Sequence, residues 1–465
     1  MESMALAQIA AAVGGQVEPE YAGVRVDSVT IDSRRADGGW TRPETGNRDH
    51  ASLFVALKGE RHDGHDFTDS FLAGGGTAAL VEHPVDGPCV VVTDACRALG
   101  DLARHYRAQF DVPVVGVTGS VGKTSTRGMI ASVLNTAGTV CSTAGNLNNA
   151  IGVPLTLLGL LASDRFAVVE MGMDHLGEMR YLTNIVRPTI AVITNIGTAH
   201  IANLGSRAAI LQAKLEILEG LSPDGLVVLN GDDKLLRSAS GDLKFRVRYY
   251  GVNDANGGIR AQDVDLRTTE SRFSVDLEDR RHRFRVPAPG AHHIGNALAA
   301  ITVGIECGIA VDDIKRGIEN FTPEAMRQII DVVHGVRIIE DCYNAGPESM
   351  KAALDVLALT AENGHKIAVL GDMLELGDFS AGFHREVGEY AVATHVDTVV
   401  AVGEDAELIA EAAESGGVPA HHLTTNAEAV ALLTQMVAPG DTVLIKASHG
   451  MKFEEIAQGL RAALA

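Results

Sequence analysis

The sequence predicts an α/β protein with three domains: a mixed α/β N-terminal domain, a central P-loop domain built on a parallel sheet, and a C-terminal domain with a smaller Rossmann-like sheet. At 465 residues the chain is longer than one ordinary hydrophobic core accommodates. Apolar runs alternate with helical patterns in two series, separated by a break near Pro323. Such alternation is typical of parallel sheets covered by helices. We therefore predict domains at residues 1–111, 112–322 and 323–465.

The N-terminal domain is predicted to contain short strands and one long helix. Residues 24–34 and 52–59 alternate apolar with polar side chains, as half-buried strands do. A further strand is predicted at 90–93 and a helix at 96–109. Residues 36–51 contain the only tryptophan among glycine, proline and charged residues, which predicts a surface loop.

The central domain begins with an apolar run, 114–117, which leads into the glycine-rich segment GSVGKTS and then into residues at helical spacing. A strand, a loop and a helix in this order can direct backbone N–H groups and the positive end of the helix at a polyphosphate. Lys123 would reach the outer phosphates, and the Thr124 hydroxyl would hold Mg²⁺. The predicted phosphate-binding residues are Gly119, Ser120, Val121, Gly122, Lys123, Thr124 and Ser125.

Two further apolar strands of this domain, 167–170 and 190–195, end in polar residues. Ligands of open α/β sheets bind at the carboxyl ends of the strands. Glu170 and the loop that ends at His200 are therefore predicted to face the ligand of the P-loop. The other central elements are predicted as a strand at 225–230, antiparallel strands within 267–286 at the sheet edge, and a helix at 297–309.

The C-terminal domain repeats the alternation of strand and helix. Its predicted strands are 336–340, 366–370, 398–402 and 441–446, and its predicted helices are 349–359, 383–393, 406–413 and 427–436. This order favours a second doubly wound sheet.

The composition and charge of the chain disfavour several kinds of partner and cellular location. The formal charge of −21 at pH 7 disfavours nucleic-acid and anionic-membrane partners, because most of the surface would repel phosphates. The sequence predicts neither a signal peptide nor a membrane-spanning helix, since it lacks a basic leader with an apolar core and any run of about 18 apolar residues. The five cysteines are odd in number and lack CxxC spacing, so we expect reduced thiols and a cytoplasmic protein.

Several segments together resemble the Mur ligase family, and they follow the family's order over nearly the whole chain. They are GSVGKTS from Gly119, NLNNAIGVPLTLL from Asn146, EMGMDHLGEM from Glu170, TNIGTAH from Thr194, KLEIL from Lys214, IEDCYNAGPESMKAAL from Ile339, and LGDMLELG from Leu370, followed by His384 and Arg385. The segments at 146–149 and 371–377 are most similar to the members that join D-alanyl-D-alanine to UDP-N-acetylmuramoyl-tripeptide. The resemblance implies an ATP-dependent amide ligase of peptidoglycan precursor synthesis that proceeds through an acyl phosphate.

The resemblance also implies roles for individual residues. The catalytic residues would be Lys123, Glu170, His200, Lys214 and Arg327. ATP would contact the P-loop together with Asn296, Arg327, Asp341 and Asn344. Two Mg²⁺ ions would be held by Thr124, Glu170, His200 and Lys214, the last as a carbamate formed with CO₂. Ser33 and Arg34 would lie near the uridine nucleotide of the substrate, and Asn146, Asn148 and Asn149 toward the muramoyl-peptide and the metal. His384 would also contact substrate. We expect a monomer.

The chain departs from the family pattern at several positions. His293 and Gly346 stand where the family usually has asparagine, and the 36–51 loop is longer than usual. The predicted site residues are spread over all three domains, and domains with modest mutual contacts move relative to one another. We therefore expect the C-terminal domain to be swung away from the P-loop without ligands, and to close about a hinge near 321–326.

Two other functions remain open at this point. A related ligase would add the third residue of the muramoyl peptide, or glutamate to folate. The former would be expected to carry an Asp-Asn-Pro-Arg clamp, which the sequence lacks. A nucleotide-dependent switch protein would instead hydrolyse ATP without ligation. The sequence is compatible with either meso-diaminopimelate or lysine as the third residue of the peptide.

Overall fold

The computed structural model describes residues 1–35, 50–360 and 364–465. Sheets of five, seven and six strands follow one another along the chain, with helices between their strands. The predicted α/β class, with a mixed, a parallel and a Rossmann-like sheet in succession, is confirmed. We propose residues 1–111, 112–322 and 323–465 as the domain limits, since each of these sheets lies within one range.

The N-terminal domain contains β1 (Met4–Ala5), α1 (Leu6–Val13), β2 (Gln16–Val17), β3 (Arg25–Val26), β4 (Ser28–Thr30), β5 (Ser52–Val55), α2 (Thr68–Ala73), β6 (Ala78–Val81), β7 (Cys89–Val91) and α3 (Ala95–Arg107). Its sheet has the order β2-β7-β6-β5-β4, in which β2 alone of the described strands runs antiparallel to its neighbour. The predicted strand 24–34 is divided, because β3 pairs with β1 whereas β4 pairs with β5. Residues 36–49 of the predicted loop lie outside the described residues.

Tyr106 of α3 ties the N-terminal domain to the central domain. Its side chain is fully buried, and its hydroxyl donates to Leu160 O at 2.6 Å. The same hydroxyl accepts from Glu2 N–H at 2.6 Å. One phenol therefore satisfies two backbone groups that are distant in sequence.

We expect Tyr106→Phe to lower the free energy of unfolding by about 1–3 kcal/mol, since it leaves a carbonyl and an N–H without their partner while keeping the packing of the ring. Thermal melting followed by circular dichroism measures the loss. Tyr390→Phe is the matched control, because the Tyr390 hydroxyl donates to Asp355 at an exposed position. Equal melting midpoints for the two variants would contradict the role assigned to Tyr106.

The central domain contains β8 (Val114–Thr118), α4 (Lys123–Leu134), β9 (Val140–Ser142), α5 (Gly152–Leu158), β10 (Phe166–Glu170), α6 (Glu178–Val186), β11 (Ile190–Ile193), α7 (Ile201–Leu204), α8 (Arg207–Leu215), β12 (Leu226–Asn230), α9 (Lys234–Ser240), β13 (Arg246–Gly251), β14 (Ile259–Arg260), β15 (Gln262–Leu266), β16 (Ser271–Leu277), β17 (Arg280–Val286), α10 (Ala291–Glu306) and α11 (Val311–Glu319). Its seven-stranded sheet has the order β14-β13-β12-β11-β8-β10-β9, and all neighbouring strands are parallel. Because β8 lies between β10 and β11, the P-loop, Glu170 and the loop after β11 meet at one edge.

The antiparallel strands predicted within 267–286 do not form the edge of this sheet. They are β16 and β17, which join β15 in a separate three-stranded sheet. Phe273 and Phe284 stack at 5.5 Å on its apolar face and share a buried cluster with Leu298 of α10. The predicted location was wrong because alternation along a hairpin identifies a buried face but not the element that covers it.

The C-terminal domain contains β18 (Ile329–Val333), β19 (Val336–Glu340), α12 (Pro347–Thr360), β20 (Lys366–Gly371), α13 (Ser380–Ala393), β21 (Thr398–Val402), α14 (Glu407–Ser415), β22 (Ala420–Leu423), α15 (Asn426–Met436), β23 (Thr442–Lys446) and α16 (Glu454–Leu464). Its sheet has the order β18-β19-β23-β20-β21-β22, and the described strands are parallel apart from the β18–β19 hairpin. None of the helices that the structure describes is long and apolar enough to span a bilayer.

The C-terminal domain is in contact with the central domain. Thr198 Oγ1 donates to Glu348 Oε2 at 2.9 Å, and the backbone N–H of Ala202 donates to Glu375 O at 3.3 Å. The expectation that this domain is swung away from the P-loop is therefore wrong for this structure.

Candidate active site

A cavity of about 1160 Å³ lies between the central and C-terminal domains, and side chains of both domains line it. Most of the predicted site residues contribute to this lining: Ser120, Val121, Gly122, Lys123, Thr124, Ser125, Asn146, Asn148, Asn149, Glu170, His200, Asn296, Arg327, Asp341 and Asn344. The structure thus brings together residues that are up to 224 positions apart, from Ser120 to Asn344.

The P-loop is held in place by close backbone contacts. Gly119 has φ +146°, and a Cβ there would lie 1.9 Å from Thr194 Oγ1, so the loop requires glycine at this position. The Val121 N–H donates to Asn195 Oδ1 at 2.9 Å. Asn195 also donates through Nδ2 to Val121 O at 2.9 Å, so its amide fixes both polar groups of this loop residue. The amide of Asn195 therefore fixes the loop conformation that presents Lys123.

Lys123 begins α4 and points back over its own loop. Its Nζ donates to Gly119 O at 2.9 Å and to Ser120 O at 3.3 Å. Burial lowers the pKa of Lys123, and the nearby Glu170 opposes that effect by raising it. An incoming phosphate would compete for the same ammonium and strengthen its charged form.

Glu170 is a buried carboxylate with one oxygen free to bind a cation. The residue is 1% exposed, and its Oε1 accepts from Asn148 Nδ2 at 2.8 Å. Its Oε2 has no hydrogen-bond partner among the described residues, and Arg127 Nε approaches it at 3.8 Å. Buried polar atoms are ordinarily satisfied. The carboxylate of Glu170, in a cavity that Thr124 also lines, therefore suits a hard cation such as Mg²⁺, which prefers oxygen ligands.

His200 adopts a left-handed backbone conformation, with φ +62°, at the start of α7. Its Nδ1 lies 2.7 Å from Glu375 Oε2 of the C-terminal domain, without hydrogen-bond geometry. Burial, followed by the charge of Lys123, lowers the pKa of His200. The neutral imidazole that results is the form that can bind a metal ion.

Lys214, in the last turn of α8, is 1% exposed. Within the described part of the chain it has no ion pair and no side-chain hydrogen bond. Burial lowers the pKa of Lys214 well below its ordinary value, and the neighbouring charge of Lys123 lowers it further. Burial without a counter-ion favours the neutral amine, which is the nucleophilic form of the side chain.

The C-terminal domain contributes charged residues to the lining of the same cavity. Asp341 Oδ2 accepts from Lys446 Nζ at 2.8 Å, and the same ammonium donates to Asn344 O at 2.9 Å. The guanidinium of Arg327 lies 4.1 Å from the centre of the Tyr343 ring. The sequence prediction did not include Lys446 and Tyr343 among the site residues, although Tyr343 lies within the segment from Ile339 that carries the family resemblance.

Asn296 reaches the same cavity from α10 of the central domain. Its Oδ1 accepts from Thr126 Oγ1 at 3.0 Å, so the side chain is tied to the helix that follows the P-loop. At Gly346, a Cβ would meet no atom within 4 Å. The departure from asparagine at this position therefore leaves open space in the cavity.

The predicted residues outside the lining of the cavity are Gly119, Lys214, Ser33, Arg34 and His384. Arg34 forms two hydrogen bonds to Asp32, at 2.8 Å each, and holds the pKa of that carboxyl at about 2. Ser33 and Arg34 thus lie on the N-terminal domain, apart from the other predicted residues.

His384 is fully buried, and both of its ring nitrogens have partners within its own domain. Its Nε2 accepts from the Met373 N–H at 3.0 Å, and its Nδ1 donates to Ser380 O at 2.8 Å. This placement does not support the predicted direct contact of His384 with substrate. The His384 ring instead holds the backbone at Met373, just before Leu374, Glu375 and Leu376, which line the cavity.

Comparison with known proteins identifies the architecture. Residues 117–304 match the family model of the Mur ligase middle domain, and residues 327–449 match that of the Mur ligase, glutamate ligase domain. The chain is similar to UDP-N-acetylmuramoyl-tripeptide–D-alanyl-D-alanine ligase of Bacillus subtilis strain 168, with 37% identity over 457 residues and coverage of 96% of each chain.

Solved structures agree with this similarity. A crystal structure of MurF from Acinetobacter baumannii superposes with a TM-score of 0.89, 32% identity and coverage of 99% of both chains. A crystal structure of MurF ligase from Thermotoga maritima in complex with ADP has a TM-score of 0.80 and 28% identity, with coverage of 94% of this chain and 97% of that one. The chain therefore belongs to the Mur ligase family.

Proposed function

We propose that this protein joins D-alanyl-D-alanine to UDP-N-acetylmuramoyl-tripeptide at the expense of ATP, as an amide ligase of peptidoglycan precursor synthesis. The main support for this proposal is a single cavity that is lined by the P-loop of the central domain and by Arg327 and Asp341 of the C-terminal domain. Relatives named for this reaction match the chain over nearly its full length.

In the first half of the reaction, a carboxylate oxygen of the tripeptide attacks the γ-phosphoryl group of ATP. An acyl phosphate forms, and ADP leaves. Both reactants are anions, so the reaction needs positive charge where they meet. Lys123 and Arg327 line the cavity from opposite domains, which allows the two cations to flank the transferring group.

Three residues that line this cavity suit two magnesium ions, together with Lys214, which is buried near Lys123 but outside the lining. Thr124, Glu170 and His200 would hold them, together with Lys214 in its carbamate form. Bound Mg²⁺ would neutralise part of the charge on the phosphates. The buried, uncharged amine of Lys214 is suited to react with CO₂, which converts a cation-forming side chain into an anion.

In the second half, the amine of D-alanyl-D-alanine attacks the carbonyl carbon of the acyl phosphate. Phosphate leaves from the tetrahedral intermediate, and the amine loses a proton. Contact between the two domains, through Thr198 and Glu348 in the lining, would restrict the entry of water to the cavity. Water would otherwise hydrolyse the acyl phosphate.

The proposed function also has consequences for the cellular location and the oligomeric state of the protein. ATP and a UDP-linked precursor are both cytoplasmic metabolites in such a pathway, so we propose a cytoplasmic enzyme. One chain supplies the residues for nucleotide, metal and substrate, and we therefore propose a monomer. Light scattering coupled to size exclusion tests the second point.

We expect ADP and phosphate to form only when ATP, a UDP-N-acetylmuramoyl-tripeptide and D-alanyl-D-alanine are all present. The assay compares tripeptides that end in meso-diaminopimelate and in lysine, and mass spectrometry identifies the pentapeptide product. Folate with glutamate serves as the control for the related ligase activity. Hydrolysis of ATP that is indifferent to the dipeptide would instead favour a nucleotide-dependent switch.

A further inference from the structure

Arg127 lies in α4, one turn beyond the P-loop lysine, and is not among the residues that the sequence assigns to the site. It connects Glu170 with the segment 324–328, which joins the central and C-terminal domains and carries Arg327. We propose that Arg127, through its ion pair with Glu324, is a positioning residue that sets the direction of Arg327 toward the transferring phosphoryl group. This inference rests on the ligase function proposed above.

The contacts of Arg127 are buried and specific. Its side chain is 7% exposed, and its guanidinium donates to Glu324 Oε1 at 2.5 Å. It also donates to Gly145 O at 3.3 Å, in the loop just before Asn146. A charged group in such a setting needs an opposite charge. Glu324 supplies that charge from the segment between the domains.

The other edge of the guanidinium faces the proposed metal site. Arg127 Nε lies 3.8 Å from Glu170 Oε2, and neither atom has a hydrogen-bond partner among the described residues. One cation therefore stands between two carboxylates, one at the metal site and one on the interdomain segment. A change in either carboxylate alters the electrostatic balance at the other.

The segment from Glu324 to Gln328 is fixed to the central domain at both ends. Its far end is Gln328, which is 8% exposed and donates through Nε2 to Pro289 O at 2.7 Å. That bond fixes the orientation of the amide. Its Oε1 accepts from Nε2 of His292 at 2.9 Å and from Nε2 of His293 at 3.2 Å.

Arg327 lies between these two anchors. Its backbone N–H donates to Glu324 O at 3.2 Å, and the flanking Met326 and Gln328 have φ of +58° and +56°. Non-glycine residues hold this conformation only where the surroundings impose it. The anchor at Glu324 therefore determines the turn from which the Arg327 side chain extends over Tyr343.

A double-mutant cycle on the full-length protein tests the proposal. We compare Glu324→Gln, Arg127→Met and the double variant, and we add Arg127→Lys, which keeps the charge but not the planar fork. Each single variant is expected to lower kcat about tenfold or more with the KM for ATP within about twofold, because the loss falls on the transition state. In the Arg127→Met background, Glu324→Gln is expected to add less than about twofold, since the pair acts as a unit.

Glu319→Gln is the matched control, because Glu319 is an exposed carboxylate five positions before Glu324. Circular dichroism melting shows that each variant is folded, and if Arg127→Met does not fold, Arg127→Lys takes its place in the cycle. A wild-type protein that does not ligate would overturn the proposed function itself. A ligating wild type with Glu324→Gln equal to the control, or with multiplicative effects of the two substitutions, would overturn the role of Arg127.

Discussion

Replacing Lys123 with alanine is expected to lower kcat for ligation by at least about 10²–10³-fold, the loss typical of removing one preorganised group that stabilises charge in the transition state. The ammonium lies in the cavity at the start of α4, where the P-loop presents it to an incoming phosphate. Alanine removes this charge. It also removes the two hydrogen bonds that Nζ donates to its own loop.

These loop hydrogen bonds involve no residue of the hydrophobic core, so the variant is expected to remain folded. Initial rates of phosphate release and thermal melting are measured in parallel. Lys315→Ala is the control, since that lysine pairs with Asp312 on the surface of α11. Near-normal turnover of Lys123→Ala with an unchanged melting midpoint would contradict the assignment of the P-loop.

The P-loop was predictable because its chemistry is carried by consecutive residues. A strand that leads into glycines and a following Lys-Thr pair predict a phosphate site without knowledge of the tertiary structure. The positions of Glu170 and His200 could be predicted with one further inference, since the carboxyl ends of parallel strands share one edge of a sheet. The structure brings Lys123, Thr124, Glu170 and His200 to one cavity.

Contacts between residues far apart in the chain could not be predicted from the spacing of residues in the sequence. Arg127 and Glu324 are 197 positions apart, and Lys446 and Asp341 are 105 apart. Each pair forms only because separate elements fold against each other, and no local periodicity encodes such a partner. His384 illustrates the converse problem, because a position in a motif does not reveal that the ring is turned inward toward Met373 and Ser380.

The position of the C-terminal domain relative to the central domain could not be predicted from the sequence either. A proline and a break in helical pattern predicted a flexible connection near 321–326. In the structure, Glu324 within this segment and Gln328 just after it are both held by side-chain hydrogen bonds. Whether a connection bends depends on the side chains that fix it, and these belong to distant parts of the chain.

Lys214→Ala is expected to be nearly inactive, with a loss of at least about a hundredfold in kcat, or ~2.7 kcal/mol. Lys214 is buried, has no counter-ion among the described residues, and has a pKa well below its ordinary value because of burial. We propose that the neutral amine would react with CO₂ to give a carbamate, whose oxygens would suit Mg²⁺ better than an ammonium does. Alanine cannot form this group.

Two measurements separate a carbamate from a packing role for Lys214. Incubation of the wild-type protein with ¹³C-labelled bicarbonate is expected to give a carbamate carbon signal by NMR, and Lys214→Ala is expected to lack it. Acetate or formate is expected to restore part of the activity of Lys214→Ala, because a short carboxylate can occupy the space that the shortened side chain leaves. Lys214→Arg is the matched control, since it remains cationic, forms no carbamate and leaves no such space. If Lys214→Ala keeps more than about a tenth of wild-type activity, a loss below ~1.4 kcal/mol, the lysine has no part in the metal site.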